Sequence, residues 1–308
     1  VLLSVVSPQL KQNNDDPIFD KYKGKISDTV KKILKEKLKI SNDKLDIEPT
    51  QNGYNFLGKG RGGLDLVLDL CKRSVPVKGD AGFFFYQTKS GFKFKSINEL
   101  ISQKPEFTLV YFGGFKQDNT EDNNDNKIMM PPRFEKDQDV IKSLKGGVYR
   151  SRNIFFDPRT FCYEEVTYDI SKEGVKKTLG GAPPFADDVK SFTKTFHHIL
   201  DVGSLDSNPS TEVNNDPRLW QATSVMRYNL LHSQVVHIQI PCNLKLEAGD
   251  VVKMEVESAS DNKEQSPKDE QQSGNYLILN LCHHFTDRRS ITALTLVRDT
   301  YGIKRSKK

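Results

Sequence analysis

The spacing of apolar residues predicts two amphipathic helices in the first quarter of the chain. In the segment ISDTVKKILKEKL the apolar residues recur at helical spacing, which predicts a helix of about three turns. Ser27 can cap this helix, and Asp28 suits the positive end of its dipole. A second helix is predicted after the glycine-rich run LGKGRGG, because a helical apolar stripe follows it and Pro76 stands beyond its end. The stripe consists of Leu64, Val67, Leu68 and Cys71.

An aromatic segment after the second helix predicts a β-hairpin. Residues 83–86 and 92–94 flank the turn TKSG and have the composition of two short strands. Ser96 and Glu99 have the spacing of a capping box, which predicts a short helix after the hairpin. The aromatic side chains of this hairpin could stack nucleic-acid bases, but a hairpin packed against helices is the favoured interpretation. The segment FTLVYFGG predicts one further strand.

From Gly146 onward the pattern predicts mostly strands. The segments GVYRSRNIFFD and FCYEEVTYDI, joined by the turn PRT, predict a long hairpin. The segment DPRLWQATSVMRYNLL predicts a helix that Asp216 caps and that has Pro217 at its first position. Strands joined by short turns then predict an antiparallel sheet or barrel, interrupted by the solvated loop SDNKEQSPKDEQQSG. These strands are VVHIQIP, VVKMEVES, YLILNLCHHF and ITALTLVRD.

Length and composition indicate a soluble globular protein of about two domains. The chain has 308 residues, of which 36% are hydrophobic and 28% are charged. No run approaches the ~20 apolar residues of a membrane-spanning helix. The first residues, VLLSVVSPQL, lack both a secretory signal pattern and an initiator Met, so we expect a fragment that begins inside a strand.

Charge and cysteine content exclude several classes of protein. The net charge is +5, and the terminal segment IKRSKK carries four of the positive charges. The body of the chain has no basic block of the kind that binds a nucleic-acid groove, so solvated faces and a loose basic tail over 304–308 are favoured. The 4 cysteines form no CxxC pair, which argues against zinc ribbons and redox motifs. Such sparse cysteines suit a reducing compartment.

The segment LCHHFTDRRS, residues 281–290, is the densest cluster of side chains that could bind a metal or catalyse a reaction. Successive side chains of a strand point to opposite faces, so His283 and His284 cannot hold one metal ion together. Cys282 and His284 share a face, but two ligands do not make a metal site. A strand followed by an exposed turn is favoured. Strict alternation predicts one face of Leu277, Leu279, Leu281, His283 and Phe285, and another of Tyr276, Ile278, Asn280, Cys282 and His284.

Other polar residues give no recognisable motif. HExxH and GxSxG are absent, and His232 and His237 have no obvious carboxylate or thiol partner. Adjacent polar pairs would point apart on a strand, and the histidines would lie about 100° apart on a helix. These pairs are His197–His198, Glu164–Glu165 and Asp187–Asp188.

Two loops resemble ligand sites only superficially. The glycines Gly58, Gly60, Gly62 and Gly63 precede Leu64 and Asp65, where a phosphate loop needs Lys followed by Ser or Thr, so a flexible hinge into a helix is favoured. The acids Asp118, Glu121, Asp122 and Asp125 lack the mid-loop Gly and closing Glu of a calcium loop. The sequence therefore assigns no catalytic, cofactor-binding or metal-binding residue, and we expect neither an enzyme nor a cofactor.

Four phrases in order resemble one family, and the resemblance covers nearly the whole chain, from about Lys25 to Gly302. They are AGFFFYQTKSGFKFKSINEL, GVYRSRNIFFDPRTFCYEEVTYD, IQIPCNLKLEAGDVVKMEV and SGNYLILNLCHHFTDRRSITALTLVRDTYG. The last phrase, a Ser-Gly-x-Tyr strand, a polar turn and a strand that ends in Arg-Asp, is the most specific. The chain resembles the tail-hub family, in particular baseplate central hub proteins of T-even-like contractile-tail phages. The hub half of type VI secretion spike proteins is a more distant relative.

The resemblance implies a β-rich α+β fold: an antiparallel β-barrel ring domain, a mixed α/β domain and a truncated N-terminal β-barrel. Residues 1–20 would hold the last strand of that barrel and a linker, and residues 21–145 the mixed α/β domain. Residues 146–170 and 233–303 would form the C-terminal tube barrel. Residues 171–232 would be an irregular, partly helical insertion, and 304–308 a basic tail.

The resemblance also implies a function without catalysis. Hub proteins are homotrimeric, pseudo-sixfold rings that join a trimeric spike to the tail tube and leave a channel for DNA ejection. The implied partners are the spike or its lysozyme, tail tube proteins and baseplate wedge proteins, with DNA passing unbound. The implied location is the virion tail baseplate, assembled in the host cytoplasm. The alternatives are the hub of a type VI secretion-like spike and a cell-wall hydrolase of the tail tip.

Overall fold

The computed structural model describes residues 5–111, 126–137, 140–170, 177–180, 194–201, 216–257 and 268–300. The chain forms two compact units, each assembled from separate parts of the sequence. The first unit comprises Val1–Ile97, Ser151–Asp169 and Lys194–Arg227, and the second comprises Asn98–Arg150, Ile170–Thr193 and Tyr228–Lys308. None of the helices in the described ranges has the length and apolar character needed to cross a bilayer.

The helices form where the apolar residues recur at helical spacing. The helix predicted over 26–38 is confirmed: α2 (Ile26–Lys32) continues into a π-helical turn, Ile33–Lys37. The helix predicted after the glycine run is confirmed as α3 (Gly63–Arg73). Short 3-10 turns lie at Asn42–Lys44 and Pro217–Leu219. The helices of the described residues are α1 (Pro8–Asp15), α2 (Ile26–Lys32), α3 (Gly63–Arg73), α4 (Ile97–Ile101), α5 (Val140–Lys145) and α6 (Gln221–Leu231).

The first unit contains small sheets around an aromatic and aliphatic core. Helices α2 and α3 pack with the predicted hairpin, where Phe83 and Phe94 are buried and stack with ring centroids 4.8 Å apart. The prediction that these aromatic residues form core is therefore confirmed. A two-stranded sheet pairs β1 (Lys21–Tyr22) with β3 (Phe56–Leu57). A three-stranded sheet has the order β2 (Leu45–Ile47), β5 (Gly91–Ser96), β4 (Phe83–Thr88). Another three-stranded sheet has the order β10 (Lys194–Ile199), β8 (Arg150–Asp157), β9 (Cys162–Asp169).

The second unit is built on one curled six-stranded sheet. All neighbouring strands are antiparallel except β6 and β12, which are parallel. The strands predicted over 235–299 are confirmed, and so is the strand predicted from FTLVYFGG. The order is β6 (Phe107–Tyr111), β12 (Val251–Val256), β13 (Gly274–Phe285), β14 (Ser290–Arg298), β11 (Gln234–Pro241) and β7 (Arg133–Asp137).

A short segment links the two sides of the curled sheet. The Ile128 N–H donates to the Val110 carbonyl on β6 at 2.8 Å, and the Met129 N–H donates to the Gln239 carbonyl on β11 at 2.8 Å. Ile128 is buried in the apolar core that the sheet encloses. The sheet is therefore held in its curl by backbone hydrogen bonds as well as by apolar packing, and the whole chain is β-rich and α+β.

Several local predictions are wrong. Lys25, not Ser27, is the N-cap of α2, because the Ser27 N–H in the first turn donates to the Thr50 hydroxyl at 3.0 Å. Pro8 begins helix α1 inside the segment predicted as a strand, since proline is favoured at a first helical position. By contrast, the helix predicted over 216–231 is confirmed as a 3-10 first turn followed by α6, and Asp216 caps it by accepting the Arg218 N–H at 2.9 Å.

The family resemblance implied that the hairpin β8–β9 joins the sheet formed by residues 233–303. In the structure this hairpin belongs to a separate sheet. Strand β8 instead pairs in parallel with β10, from Ser151 opposite Lys194 to Phe156 opposite Ile199. In the second unit β6 and β7 take the edge positions of the curled sheet. The pairing differs because β6, β7 and β10 come from segments far from these strands in sequence.

Candidate functional site

The hairpin β13–β14 carries the predicted candidate cluster, but a β-bulge changes which residues share a face. The pairing shifts by one residue between Ile278 and Asn280, which leaves Leu279 as the extra residue. A bulge reverses the alternation of the residues that follow it, so the two faces predicted from strict alternation are wrong. The core face carries Tyr276, Ile278, Leu281 and His283, and the opposite face carries Leu277, Asn280, Cys282 and His284.

The polar residues at the far end of this hairpin bond to one another. His283 Nδ1 lies 2.8 Å from the Thr292 hydroxyl, and Cys242 Sγ lies 4.0 Å from the same nitrogen. The turn is closed between Thr286 and Arg289, whose N–H donates to the Thr286 hydroxyl at 3.2 Å. The strand-and-turn interpretation of this segment is confirmed. Across the described residues, His, Cys, Asp and Glu form no group of three or more that could hold a metal ion.

A buried arginine ties the start of β13 to the end of β14. Arg298 is 1% exposed, and its guanidinium donates to the Ser273 carbonyl at 3.0 Å and to the Thr300 hydroxyl at 3.2 Å. It also lies over the Tyr276 ring, 5.2 Å from the centroid. A Cβ at Gly274, where φ is +142°, would come within 2.7 Å of this guanidinium. The residues of the Ser-Gly-x-Tyr motif therefore pack against the terminal arginine, and these contacts hold the two strand ends together.

The residue after Arg298 anchors a separate segment of the second unit. Asp299 is buried and accepts a hydrogen bond from the Leu179 N–H at 3.0 Å. The Thr300 hydroxyl donates to the Gly180 carbonyl. The Arg-Asp end of the final strand therefore holds residues 177–180 through a carboxylate and a hydroxyl, which is a structural use of polar groups.

The face of the curled sheet opposite its core carries a groove of about 730 Å³. His237 lies in it, with Nε2 2.9 Å from a Glu135 carboxylate oxygen and Nδ1 3.1 Å from the Thr295 hydroxyl. The prediction that His237 lacks a carboxylate partner is therefore wrong. Glu135 and His237 are both well exposed to solvent, so this pair is a surface contact of small energetic weight.

The adjacent histidines of the first unit lie on a strand, β10, and point to opposite faces. His198 stacks on Phe155 with centroids 4.9 Å apart. Its Nε2 lies 3.1 Å from Asn153 Oδ1, and its Nδ1 lies 3.0 Å from Gln221 Nε2. Since the Gln221 amide nitrogen can only donate and Asn153 Oδ1 can only accept, His198 Nδ1 accepts and its Nε2–H donates, which requires the neutral ring. Burial, and next to it the neighbouring His197, lower the pKa of His198.

A second groove, of about 430 Å³, lies in the first unit beside an aromatic stack. The Tyr54 hydroxyl donates to Asp201 at 2.8 Å, and the Arg73 guanidinium lies over the Tyr54 ring at 4.5 Å. Burial raises the pKa of Tyr54 to about 12, and the carboxylate of Asp201 contributes in the same direction. Phe56 stacks between Tyr54 and Tyr22. These contacts pair the Tyr54 hydroxyl with the Asp201 carboxylate at the wall of the groove.

The remaining sequence candidates are separated or engaged in packing. Glu164 pairs with Arg218, and Glu165 pairs with Arg152 on the other face of β9. The acids Asp118, Glu121, Asp122 and Asp125, the pair Asp187–Asp188 and the loop over 258–267 lie outside the described residues.

The glycine-rich run before α3 packs tightly. The Gly58 Cα faces the Ile18 backbone, where a Cβ would meet the carbonyl oxygen at 2.3 Å. The first turn of α3 is capped by Asn13, whose Oδ1 accepts the Leu64 N–H at 2.7 Å. The flexible-hinge interpretation is therefore wrong, because this loop is fixed by neighbouring backbone and a side-chain cap.

Comparison with known proteins gives structural relatives and no sequence relatives. No protein-family model matches the sequence, and no curated protein sequence matches it. A 43 kDa tail protein of prophage MuSo2 from Shewanella oneidensis aligns at 9% identity and a TM-score of 0.47 over 96% of this chain and 71% of that one. The E. coli c3393 protein, a type VI secretion component described as similar to T4 tail proteins gp27 and gp5, aligns at 11% identity and 0.41 over 97% and 56%.

A third solved structure aligns with a higher score. The tail protein from Neisseria meningitidis MC58 gives a TM-score of 0.52 at 10% identity, over 93% of this chain and 71% of that one. At this identity the alignment establishes the fold. The chain therefore shares its overall fold with a bacterial tail protein.

Proposed function

We propose that the chain is a structural hub of a contractile phage tail baseplate. The single observation that carries the proposal is the fold shared with the Neisseria tail protein over 93% of the chain. In this role the protein forms a homotrimeric, pseudo-sixfold ring that joins the trimeric spike to the tail tube. Tail tube, spike and baseplate wedge proteins are its partners, and the virion tail is its location.

The chemistry of the most specific sequence phrase supports a structural role. Its buried Arg298 is bonded to backbone and hydroxyl groups at the two ends of the β13–β14 hairpin. Its Cys282 and His284 lie exposed on one face, and among the residues that the structure describes no third ligand joins them in a group that could hold a metal ion. Residues that hold sheets together are what a ring-building protein requires, since its work is geometric.

We propose that the ring encloses a channel for DNA that does not bind DNA. Phosphate contacts dominate protein–DNA affinity, so a lumen lined by a continuous Arg/Lys band would slow ejection. The net charge of +5 over 308 residues gives no general excess from which such a band would arise. A dense basic belt around the channel in a structure of the assembled ring would contradict this part of the proposal.

The proposal is tested by the mass of the purified chain in solution. Multi-angle light scattering over a range of concentrations is expected to give about 105 kDa, three times the 35.0 kDa of one chain, as closed cyclic symmetry requires. A single 35.0 kDa species at every concentration would contradict the homotrimer. Release of soluble fragments from purified cell walls would instead favour a hydrolase of the tail tip.

A further inference from the structure

The three-stranded sheet of the first unit is open along both edges. Its order is β10, β8, β9, and in the described ranges no strand lies beyond β9 or beyond β10. Residues 162–165 of β9 are exposed on both faces of the strand. On β10 the exposed residues are Lys194, Thr195, His197 and Ile199. An exposed strand edge presents unpaired backbone donors and acceptors and is a template for another strand.

A row of apolar side chains crosses this sheet from one edge strand to the other, with one residue from each strand. Ile199 of β10 lies opposite Phe156 of β8, and the Phe156 ring contacts Tyr163 of β9 with centroids 5.1 Å apart. Tyr163 is 71% exposed and Ile199 is 74% exposed. Phe161, at 77% exposure, extends the row at the hairpin turn. Contiguous exposed apolar side chains of this kind mark protein–protein contact sites.

The two edges differ in charge as well as in strand direction. Strand β9 carries Glu164 and Glu165, which pair with Arg218 and Arg152 of their own chain, whereas β10 carries Lys194 and His197. Strand β10 runs parallel to β8, and β9 returns from β8 through a short turn, so β9 runs antiparallel to β10. One copy's β9 can therefore continue the sheet into another copy's β10 as an antiparallel pair. Complementary charge at an interface selects partner and register.

We propose that β9 of one subunit pairs antiparallel with β10 of the next subunit, with Tyr163 opposite Ile199 of the neighbouring copy. This inference rests on the proposed homotrimer and names the surface that builds it. Continuing the apolar row places Glu165 opposite the neighbour's His197, two positions along each strand. The contact joins two different surfaces head to tail, which is the arrangement that closes a ring of identical subunits.

Disulfide cross-linking tests the predicted register. The variant Tyr163→Cys with Ile199→Cys is made in a chain carrying Cys162→Ser, Cys242→Ser and Cys282→Ser, since these are the native cysteines that are not buried. Directly opposite residues of an antiparallel pair have Cβ atoms about 4.5–5.5 Å apart, close enough for a disulfide after small adjustment. Mild oxidation is expected to give covalently linked dimers and trimers on a non-reducing gel.

The matched control is Tyr163→Cys with Thr195→Cys in the same background. Thr195 lies on the same face of β10 four residues from Ile199, so in the proposed register its cysteine is about 13 Å farther along the strand. The control is expected to give at least about tenfold less linked product. Tyr163→Cys, Ile199→Cys and Thr195→Cys, each made alone, are expected to leave the unfolding midpoint unchanged and to give no covalently linked dimers or trimers on the gel.

Light scattering on the same variants separates this inference from the proposed function. A trimer in which Tyr163→Cys and Ile199→Cys fail to link, or link no faster than the control pair, overturns the edge pairing and leaves the hub proposal standing. A monomer at every concentration, with no linked product, overturns both. A trimer whose linked product depends on the predicted pair supports both.

Discussion

Replacing Gly274 with alanine tests the buried arrangement at the ends of the β13–β14 hairpin. Gly274 has φ of +142°, a backbone conformation that L side chains rarely adopt, and its Cβ would lie 2.7 Å from Arg298 Nη2. Arg298 is 1% exposed and flanked by the hairpin itself, so moving it aside breaks at least one of its hydrogen bonds to Ser273 and Thr300.

The expected loss of stability is the sum of two effects. A side chain held at unfavourable positive φ costs about 1–3 kcal/mol. Breaking one hydrogen bond of the charged guanidinium adds about 1.5–3 kcal/mol. We therefore expect Gly274→Ala to destabilise the second unit by about 2.5–6 kcal/mol. Gly24→Ala is the matched control, because Gly24 has φ of +92° with no atom within 4 Å of its Cβ position, so it loses only the backbone contribution of about 1–3 kcal/mol.

Hydrogen exchange read by mass spectrometry measures each unit separately. Peptides from β13 and β14 are expected to exchange at least about sixtyfold faster in Gly274→Ala, since each 1.4 kcal/mol is about tenfold. Peptides of the first unit should be unchanged. Equal effects of the two glycine substitutions on their own units, or protected β13 amides in Gly274→Ala, would refute the role assigned to Arg298.

Three further results are expected. Burial lowers the pKa of His198, so folding favours its neutral form. The stability that this preference contributes is present above the unfolded pKa of about 6.5 and is lost as the pH falls below that value. The free energy of unfolding in urea should therefore fall less between pH 7 and pH 5 in His198→Gln than in the wild type. Phe94→Ala should cost about 3–5 kcal/mol in urea unfolding, because the ring is fully buried against Phe83; a loss under about 1 kcal/mol would contradict this core. Glu135→Gln should change stability by less than about 0.5 kcal/mol, because its pair with His237 is exposed; a larger loss would show that this groove is structurally important.

Local patterns predicted the elements whose residues alternate or repeat at a regular spacing. The β4–β5, β8–β9 and β13–β14 hairpins have short turns, so sequence neighbours decide their pairing. Strands β11 and β12 show clear apolar alternation, which predicts the strands but not their partners. Helix α3 was equally predictable, because its stripe is long and its end is marked by a proline.

Features that depend on distant residues could not be predicted. The segment YLILNLCHHF is apolar over its first half, so its alternation gives no sign of the bulge at Leu279 that reverses the later faces. His237 meets Glu135 across 102 residues of sequence. The pairing of β10 with β8 is parallel and non-local, and only this pairing reveals the apolar row from Tyr163 to Ile199. Sequence spacing does not encode such contacts.

Electron microscopy of the purified chain would show whether this protein builds a ring, as proposed. We expect threefold-symmetric particles with a central opening, in which the sheets of the first unit run continuously from one subunit to the next. Single compact particles of 35.0 kDa without an opening would contradict it.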